Sequence, residues 1–419
     1  MTDRVSAQYE AYPYPERRPQ DEKNRLIEGS PSHLKEVDHY LFGGRLVAGG
    51  RDGARPLRVL VAGGGTGDGL IMLAQHLADA GLPAEIVYLD LSAAARRVAE
   101  ARARMRGLDH IRFLTGSLLD LPERQLGLFD YIDCCGVLHH LEDSAKGLAA
   151  LKSVLHPDGG IGLMLYGTLG RTGVYHAQAM LRLLAGPEEE AGERLGIARR
   201  LLAELPATNW LRLNPAIADH KRGEDAALFD LLLHARDRPF TVPEIAGLVA
   251  GAGLEIVSFI DPWRYDPDSY VNDPKLRARI AACSPLTRAT FAELLAGNIK
   301  SHICYLVAAG RAGAALAKPD DPSAVPVMRD DDGPAVARAI KDDRATFRID
   351  GIEVAFPLPR MAGPILARID GRRSLGDLQR LLAGEFGSRA EPARFDADFA
   401  RLYKVMNGIG RMMVRRPRA

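Results

Sequence analysis

The sequence predicts an α/β fold with a mainly parallel sheet, because short apolar segments alternate with amphipathic helical segments over residues 57–166. The segments predicted as strands are 57–62, 85–90, 111–114, 129–134 and 161–166. The helical patterns between them lie at 68–80, 92–106 and 144–155, and Pro157 and Gly159 are expected to end the last helix. Strands separated by such helices need crossover connections, which build parallel sheets.

The pattern changes after residue 166. Residues 171–240 are predicted to be helical, and strands return at 254–260 and 302–308. The helix before strand 254–260 starts with a capping box, Thr241 followed three residues later by Glu244. Residues 1–56, rich in polar residues and proline, form a separate N-terminal arm.

A second, smaller unit is predicted at the C-terminal side. Residues 309–343 are rich in Ala, Pro, Gly and Asp without a clear period, which is typical of a linker. Residues 344–419 then predict an α+β module: a hairpin turning at Asp350-Gly351, three short helices and a closing strand in RMMVRR.

Composition limits the class of protein. A length of 419 residues suggests two or three domains, and the net charge of +1 argues against wholesale binding of nucleic acid. The cysteines have neither zinc-site nor disulfide-framework spacing, so a reducing cytoplasm is the expected setting: Cys134, Cys135, Cys283 and Cys304. No uncharged apolar run reaches ~18 residues, so no membrane span is expected.

The segment VLVAGGGTGDGLIMLA, residues 59–74, places five glycines between a strand and a helix. It contains no lysine, so it is not a phosphate-binding P-loop. It also fails the dinucleotide pattern, because the third glycine would fall on Asp68 or Leu70, and Asp68 would face the pyrophosphate. The bare backbone at Gly63, Gly65 and Gly67 still allows a ligand to approach closely.

A carboxylate, Asp90, closes the second predicted strand. At that position it can accept hydrogen bonds from both hydroxyls of a ribose. The helix N-terminus behind the glycines can face a carboxylate instead of a diphosphate. A ligand with an adenosine end and an amino-acid end fits both features, and S-adenosylmethionine is such a ligand.

Five ordered segments carry a family resemblance: VLVAGGGTG, YLDLSAAARRVAEAR, IRFLTGSLLDLP, FDYIDCCGVLHHLED and LKSVLHPDGGIGLML. With them, residues 57–308 resemble the class I S-adenosylmethionine-dependent methyltransferases. The resemblance implies a Rossmann-like seven-stranded sheet with helical insertions, in which strand 302–308 lies antiparallel between the fifth and sixth strands. It also implies a transferase that uses S-adenosylmethionine as its cofactor.

The resemblance assigns roles to particular positions. The residues expected to bind the cofactor are Gly63, Gly64, Gly65, Gly67, Asp90, Leu91, Ser117, Leu118 and Cys135. Two positions depart from the family. Val61 stands where the family commonly has Asp or Glu, so the ligand's ammonium needs another acceptor, such as a carbonyl near Gly63 or Cys135. Ser117 stands where an acid often contacts the adenine amino group.

A sulfonium is an activated methyl donor, so catalysis needs alignment and, for some acceptors, removal of a proton. The candidates for catalysis are His139, His140 and Tyr14, and no metal site is expected. The N-terminal YEAYPYPERRP segment could close over the cofactor as a lid, with its tyrosines attracting the sulfonium. The alternative is an aromatic arm packed on the surface for stability.

The segments 171–240 and 261–300 are expected to build the substrate side. Their polar residues are interpreted as ordinary helix-surface positions in preference to pocket positions: Asn214, Asp219, His220, Asp230 and His234. Residues 344–415 are similar, with low specificity, to small PqqD-like winged-helix modules that bind peptides. An oligomerisation or packing role is the equal alternative for them.

The main hypothesis is therefore a cytoplasmic methyltransferase acting on an N or O atom of an unidentified acceptor. A peptide or protein and a small metabolite remain open as acceptors, and so does self-association into a homo-oligomer. The competing hypothesis is a non-catalytic S-adenosylmethionine-binding scaffold or sensor.

Overall fold

A computed structural model describes residues 2–47, 55–186, 188–218, 223–349 and 352–417. The strands in these ranges are β1 (Leu57–Ala62), β2 (Ala84–Asp90), β3 (Ile111–Thr115), β4 (Phe129–Cys135), β5 (Leu155–Tyr166), β6 (Leu254–Ile260), β7 (Ser301–Ala308), β8 (Val325–Met328), β9 (Arg344–Ile349), β10 (Ile352–Pro357) and β11 (Met412–Arg415).

The α-helices in the same ranges fall into three groups along the chain. Those up to β5 are α1 (Thr2–Ala11), α2 (Leu34–Leu41), α3 (Asp68–Asp79), α4 (Ala93–Met105) and α5 (Ser144–Ser153). Those between β5 and β7 are α6 (Val174–Leu184), α7 (Ala191–Ala203), α8 (Trp210–Leu213), α9 (Asp225–Leu228), α10 (Val242–Gly251), α11 (Pro274–Ala281) and α12 (Pro285–Ala296). Those after β7 are α13 (Ala312–Ala315), α14 (Gly333–Ala339), α15 (Ala362–Leu366), α16 (Leu375–Phe386) and α17 (Pro392–Gly408).

Seven strands form the main sheet, in the order β3-β2-β1-β4-β5-β7-β6. The strands β1 to β5 pair in parallel, whereas β7 pairs antiparallel with both β5 and β6. The predicted insertion of strand 302–308 between the fifth and sixth strands is thus confirmed. Because β1 to β5 are parallel, their carboxyl ends meet at one edge of the sheet, which is where ligands bind in open α/β sheets.

Both faces of the sheet are buried, as a parallel sheet requires. Val59 and Val61 of β1 join one apolar core with residues of α2, α3 and α4. Leu60 and Ala62 join a second core on the other face with residues of α5 and α10. This alternation along β1 explains why LRVLVA is apolar at nearly every position and leads directly to the glycine turn.

The predicted end of the helix at 144–155, which is α5, is wrong. Helix α5 ends at Ser153, and Pro157 and Gly159 lie inside β5 instead of terminating a helix. The pairing of β4 with β5 jumps from Phe129↔Leu155 to Tyr131↔Gly160, so the first part of β5 bulges out of register. A proline, which has no N–H to donate, is tolerated in such a bulge.

The predicted linker, residues 309–343, contains α13, β8 and α14. Strand β8 pairs antiparallel with β11, and Val325 is fully buried. A strand of four residues leaves little periodic signal, and its partner lies far along the chain. The predicted hairpin is present as β9 paired with β10, with Ile349 opposite Ile352, while its turn residues Asp350 and Gly351 lie outside the described residues.

The C-terminal segments pack on α2 of the N-terminal arm. His39 of α2 is buried and contacts both β11 and α17: its Nδ1 lies 2.9 Å from the carbonyl O of Val414, and its Nε2 lies 2.9 Å from the hydroxyl of Tyr403. The division into domains and the winged-helix resemblance remain predictions. In the described part of the chain, no helix combines the length and the apolar character that crossing a bilayer demands.

Candidate active site

A cavity of about 270 Å³ opens at the carboxyl ends of the parallel strands, beside the turn that joins β1 to α3. Gly63 and Gly65 of this turn have φ values of +76° and +51°, which favour glycine. All but one of the residues predicted to bind the cofactor line this cavity: Gly63, Gly64, Gly65, Asp90, Leu91, Ser117, Leu118 and Cys135.

Asp90 is held rigidly at the cavity wall. Its Oδ2 accepts a hydrogen bond from the backbone N–H of Gly65 at 2.8 Å, and its Oδ1 accepts one from the N–H of Ser92 at 2.8 Å. Burial raises the pKa of Asp90, and these backbone donors oppose that rise. Each carboxylate oxygen has two lone-pair sites, so Asp90 retains acceptor capacity toward the cavity.

Gly67 does not line the cavity, contrary to its predicted role. It lies at the N-cap of α3 with φ +100°, and a Cβ at this position would lie 3.0 Å from the Cβ of Ala99 in α4. The glycine therefore allows α3 and α4 to pack closely. Its contribution to the site is indirect, through the shape of the turn.

Ser117, just after β3, and Cys135, at the end of β4, both line the cavity. The Ser117 hydroxyl caps a short 3-10 helix, Leu118–Glu123, by accepting from the N–H of Leu119 at 3.1 Å, and its own proton remains available. Burial raises the pKa of the Cys135 thiol, so this residue stays a neutral thiol and is not a nucleophile.

The N-terminal arm crosses the glycine turn. Thr66 Oγ1 donates to the carbonyl of Pro15 at 2.7 Å. Arg17 binds Asp68 in a two-point contact, with Nε 2.9 Å from Oδ1 and Nη2 2.7 Å from Oδ2. Tyr9 and Tyr14 of the arm line the cavity.

The two neighbouring histidines differ in position. His139 does not line the cavity: it is fully buried, its ring stacks on that of Tyr166 at 3.9 Å, and its Nδ1 accepts from the N–H of Tyr166. His140 lines the cavity. Its Nδ1 lies 2.8 Å from the carbonyl O of Arg236, and because a carbonyl only accepts, Nδ1 carries the proton. In the neutral ring the lone pair is then on Nε2.

The expectation of surface positions for Asp230 and His234 is wrong, because these residues are only 4% and 3% exposed. Asp230 Oδ1 accepts from the Tyr9 hydroxyl at 3.0 Å, and Oδ2 accepts from the Tyr166 hydroxyl at 3.0 Å. Asp230 lies in a single π-helical turn, Phe229–Leu233, a feature that sequence periodicity does not reveal.

The other three residues of that polar set are Asn214, Asp219 and His220. Asn214 donates to the carbonyls of Gly170 and Thr172, while Asp219 and His220 lie outside the described residues. A group of polar and aromatic side chains, here named the Asp230 cluster, consists of Tyr9, His140, Tyr166, Asp230 and His234.

Ligating atoms of His140, Asp230 and His234 all lie within 4.8 Å of one another, a spacing that could hold a metal ion. The hydrogen bonds argue against this. His234 Nδ1 accepts from the N–H of Arg236 at 3.0 Å, so its Nε2 carries the proton and faces the Tyr9 hydroxyl at 3.1 Å. A protonated ring nitrogen is not a metal ligand.

Two further carboxylates, which the sequence analysis did not place in the site, also line the cavity. Asp68 is paired with Arg17 and with Arg102, whose Nη1 lies 2.7 Å from Oδ1. Asp133 is buried in β4, and its Oδ1 has no hydrogen-bond partner among the described residues. The available signal for Asp133 was its place as one of two acidic residues, with Asp130, in the predicted strand FDYIDC.

Comparison with known proteins places this geometry in a family. The family model described as "Methyltransferase domain" matches residues 60–161. An uncharacterised protein of Synechococcus sp. is 34% identical over 313 residues, which cover 73% of this chain and 72% of that protein. A ubiquinone biosynthesis O-methyltransferase of Albidiferax ferrireducens is 26% identical over 176 residues, covering 39% of this chain and 67% of the relative.

The fold is also shared with a solved structure. PKMT2 from Rickettsia typhi superimposes with a TM-score of 0.60 at 14% identity, covering 87% of this chain and 72% of that chain. The same protein in complex with AdoHcy gives a TM-score of 0.59. Residues 60–161 belong to the methyltransferase domain family, and the chain is an enzyme that uses S-adenosylmethionine.

The cavity fits this cofactor. Asp90 keeps acceptor capacity for ribose hydroxyls, and glycine backbone at Gly63 and Gly65 admits a close ligand. Tyr9 and Tyr14 line the cavity, and aromatic rings there can attract a cation. Asp133 lines the cavity, and its Oδ1 has no hydrogen-bond partner among the described residues, so a donor at the cofactor's amino-acid end can bind there.

Proposed function

We propose that this methyltransferase acts on a hydroxyl oxygen of its acceptor, which reaches the cavity at the Asp230 cluster, and that His140 removes the hydroxyl proton. The observation that supports this most directly is the orientation of the His140 ring. With Nδ1 donating to the Arg236 carbonyl, the neutral ring has its lone pair on Nε2, the nitrogen suited to accept a proton.

Asp230 supports the same role. A ring that gains a proton becomes cationic, and the Asp230 carboxylate in the same cluster favours that charge. The hydroxyls of Tyr9 and Tyr166 donate to the two oxygens of Asp230, and these bonds oppose the rise that burial causes in the pKa of Asp230.

When bound, S-adenosylmethionine supplies a methyl group already activated on a sulfonium. The chain supplies position, water exclusion and a proton acceptor. Tyr9 and Tyr166 are half-buried and line the cavity, so their rings cover part of its wall beside Asp230. A hydroxyl needs such a proton acceptor far more than a nucleophile that has no proton to lose.

An oxygen acceptor is also supported by the relatives. The ubiquinone biosynthesis O-methyltransferases of Albidiferax ferrireducens and Acinetobacter baylyi are named for methylation at oxygen, and they match 39% and 37% of this chain. We therefore favour a hydroxyl over an amine as acceptor. A small metabolite and a hydroxyl on a peptide both satisfy the proposal.

The acceptor is to be found by incubating the protein with methyl-labelled S-adenosylmethionine and a cell lysate, separated into small-molecule and protein fractions. Mass spectrometry of the labelled product identifies the methylated atom. We expect an O-methyl product, and an N-methyl product would contradict the proposal. Binding of S-adenosylhomocysteine with no transfer to either fraction would favour the scaffold hypothesis.

The role of His140 is tested by a matched pair of variants, His140→Gln and His139→Gln. General-base removal typically lowers the rate by about 10²–10⁴-fold, and we expect that loss for His140→Gln with unchanged affinity for S-adenosylhomocysteine. His139→Gln should lose stability and keep its transfer rate per folded molecule, because His139 does not line the cavity. Equal rates for His140→Gln and wild type would exclude the general base.

A further inference from the structure

Asp133 lies directly opposite Val61, on the neighbouring strand. Strands β1 and β4 pair in parallel with Val61 in register with Asp133. Val61 is the position at which the resemblance leads us to expect a carboxylate, and here it is an apolar residue, 1% exposed. The chain thus places a carboxylate one strand away from the expected position, and that carboxylate lines the same cavity.

Asp133 forms no ion pair with any residue that the structure describes. Asp133 is only 3% exposed, and its Oδ1 has no hydrogen-bond partner in the described part of the chain. Asp68, at the start of α3, also lines the cavity but is already neutralised by Arg17 and Arg102. A buried carboxylate oxygen without a partner is unfavourable, so a ligand that supplies a positive charge or a donor there is strongly favoured.

Among the titratable groups near Asp133, Asp133 is the one best suited to bind a cationic ligand. The Ser32 side chain lowers the pKa of Asp133 against the larger raising effect of burial. The neighbouring titratable groups are the Tyr131 hydroxyl and the thiols of Cys134 and Cys135, all with raised pKa values because of burial. Asp68 and Asp90 line the same cavity, the first within its arginine pairs and the second bound by backbone N–H groups.

We propose that the carboxylate of Asp133 binds the α-ammonium group of S-adenosylmethionine, replacing the carboxylate that the family commonly supplies from the position of Val61. This inference rests on the cofactor assignment and adds the residue that holds the amino-acid end. The sequence suggests carbonyls near Gly63 or Cys135 as acceptors for the ammonium. A carboxylate binds an ammonium more strongly than a neutral carbonyl does, so these carbonyls contribute less than Asp133.

Binding should be coupled to a proton. Burial raises the pKa of Asp133 to about 7 in the free protein, so near neutral pH the carboxyl is partly protonated. An ammonium group binds the ionised form, so binding releases the proton and becomes tighter as pH rises through this range. A ligand that lacks the amino-acid end should show no such coupling at Asp133.

The test compares two probes by titration calorimetry: S-adenosylhomocysteine, which carries the ammonium, and 5′-methylthioadenosine, which lacks the amino-acid end. For wild type, we expect the preference for S-adenosylhomocysteine over methylthioadenosine to increase about tenfold from pH 6 to pH 8. Titrations in buffers of different ionisation enthalpy should show proton release only with S-adenosylhomocysteine. A preference that does not change with pH would overturn the proposal.

The variant Asp133→Asn, similar in shape and uncharged, should bind S-adenosylhomocysteine at least about tenfold more weakly and methylthioadenosine equally well. Equal weakening of both probes would show a structural role and overturn the proposal. If this variant does not fold, the wild-type probe comparison decides alone. Absence of binding of both probes to wild type would instead contradict the cofactor assignment, so the two failures are distinguishable.

Discussion

The backbone N–H of Gly65 donates a hydrogen bond to Oδ2 of Asp90 at 2.8 Å. This bond joins the turn after β1 to the end of β2, the two features from which the sequence predicts an adenosyl ligand. The carbonyl of Gly65 accepts from the Tyr88 hydroxyl at 2.6 Å. Both backbone polar groups of Gly65 are therefore held by side chains of β2. The conformation of the turn and the position of Asp90 therefore depend on each other.

Gly65→Ala should weaken cofactor binding. A Cβ at Gly65 would lie 2.8 Å from the carbonyl O of Tyr14, so the turn or the arm must move. Gly81→Ala is the matched control, because Gly81 has φ +66° and open space around its Cβ position. Both variants carry backbone strain of about 1 kcal/mol. Calorimetry with S-adenosylhomocysteine should show weaker binding only for Gly65→Ala, and equal affinities would argue against contact between turn and ligand.

Arg17→Ala should loosen the N-terminal arm. The two-point contact of Arg17 with Asp68 joins the arm to the start of α3, next to the cavity. Arg18→Ala is the control, since Arg18 is exposed. We expect faster proteolysis of the arm and a higher KM for S-adenosylmethionine with Arg17→Ala alone. If both variants match wild type, the arm is surface packing and not a lid.

Tyr9→Phe should destabilise the Asp230 cluster. The Tyr9 hydroxyl donates to Asp230 and faces the Nε2 proton of His234, so its loss leaves a buried N–H and one carboxylate oxygen without partners. We expect a loss of roughly 1–3 kcal/mol in the free energy of unfolding, measured with urea. Tyr12→Phe is the control, because the Tyr12 ring stacks on Phe229 at 5.0 Å and does not line the cavity. A loss of similar size in both variants would contradict this account.

Acid should weaken the packing of the C-terminal segments on α2. Burial lowers the pKa of His39 from 6.5 to about 4, so below pH 6.5 the unfolded chain binds a proton that the folded chain does not. Stability therefore falls as pH drops from 6.5 toward 4, by about 2 kcal/mol between pH 7.5 and pH 5. Urea unfolding at both pH values should show a smaller loss for His39→Gln than for wild type. His110→Gln, at an exposed site, should behave as wild type.

The sequence was sufficient for features that depend on local pattern or on a shared motif. The seven-stranded sheet, the inserted strand β7 and the placement of Asp90 beside the glycine turn follow from apolar periodicity and from the ordered segments of the family. The features it missed depend on contacts distant in sequence. Strand β8 is defined by pairing with β11, and Asp230 is buried because Tyr9 and Tyr166 satisfy its oxygens.

The position of Asp133 in the site also depends on a contact between residues distant in sequence, so the sequence did not predict it. Its register with Val61 is visible only once β4 is placed beside β1. His139 and His140 are neighbours in sequence, yet only His140 reaches the cavity, because the short 3-10 helix Leu138–His140 turns the two rings to different environments. The roles of the individual site residues, the winged-helix resemblance and the acceptor remain predictions.

The most direct measurement is titration of S-adenosylhomocysteine into wild type and into Asp90→Ala. The account predicts saturable one-site binding to wild type and a loss of at least about tenfold in affinity for the variant, because the ribose hydroxyls lose a charged acceptor. Both proteins should first be shown to be folded by their thermal transitions. Absence of binding to wild type, or equal affinity in the two proteins, would contradict the cofactor site described above.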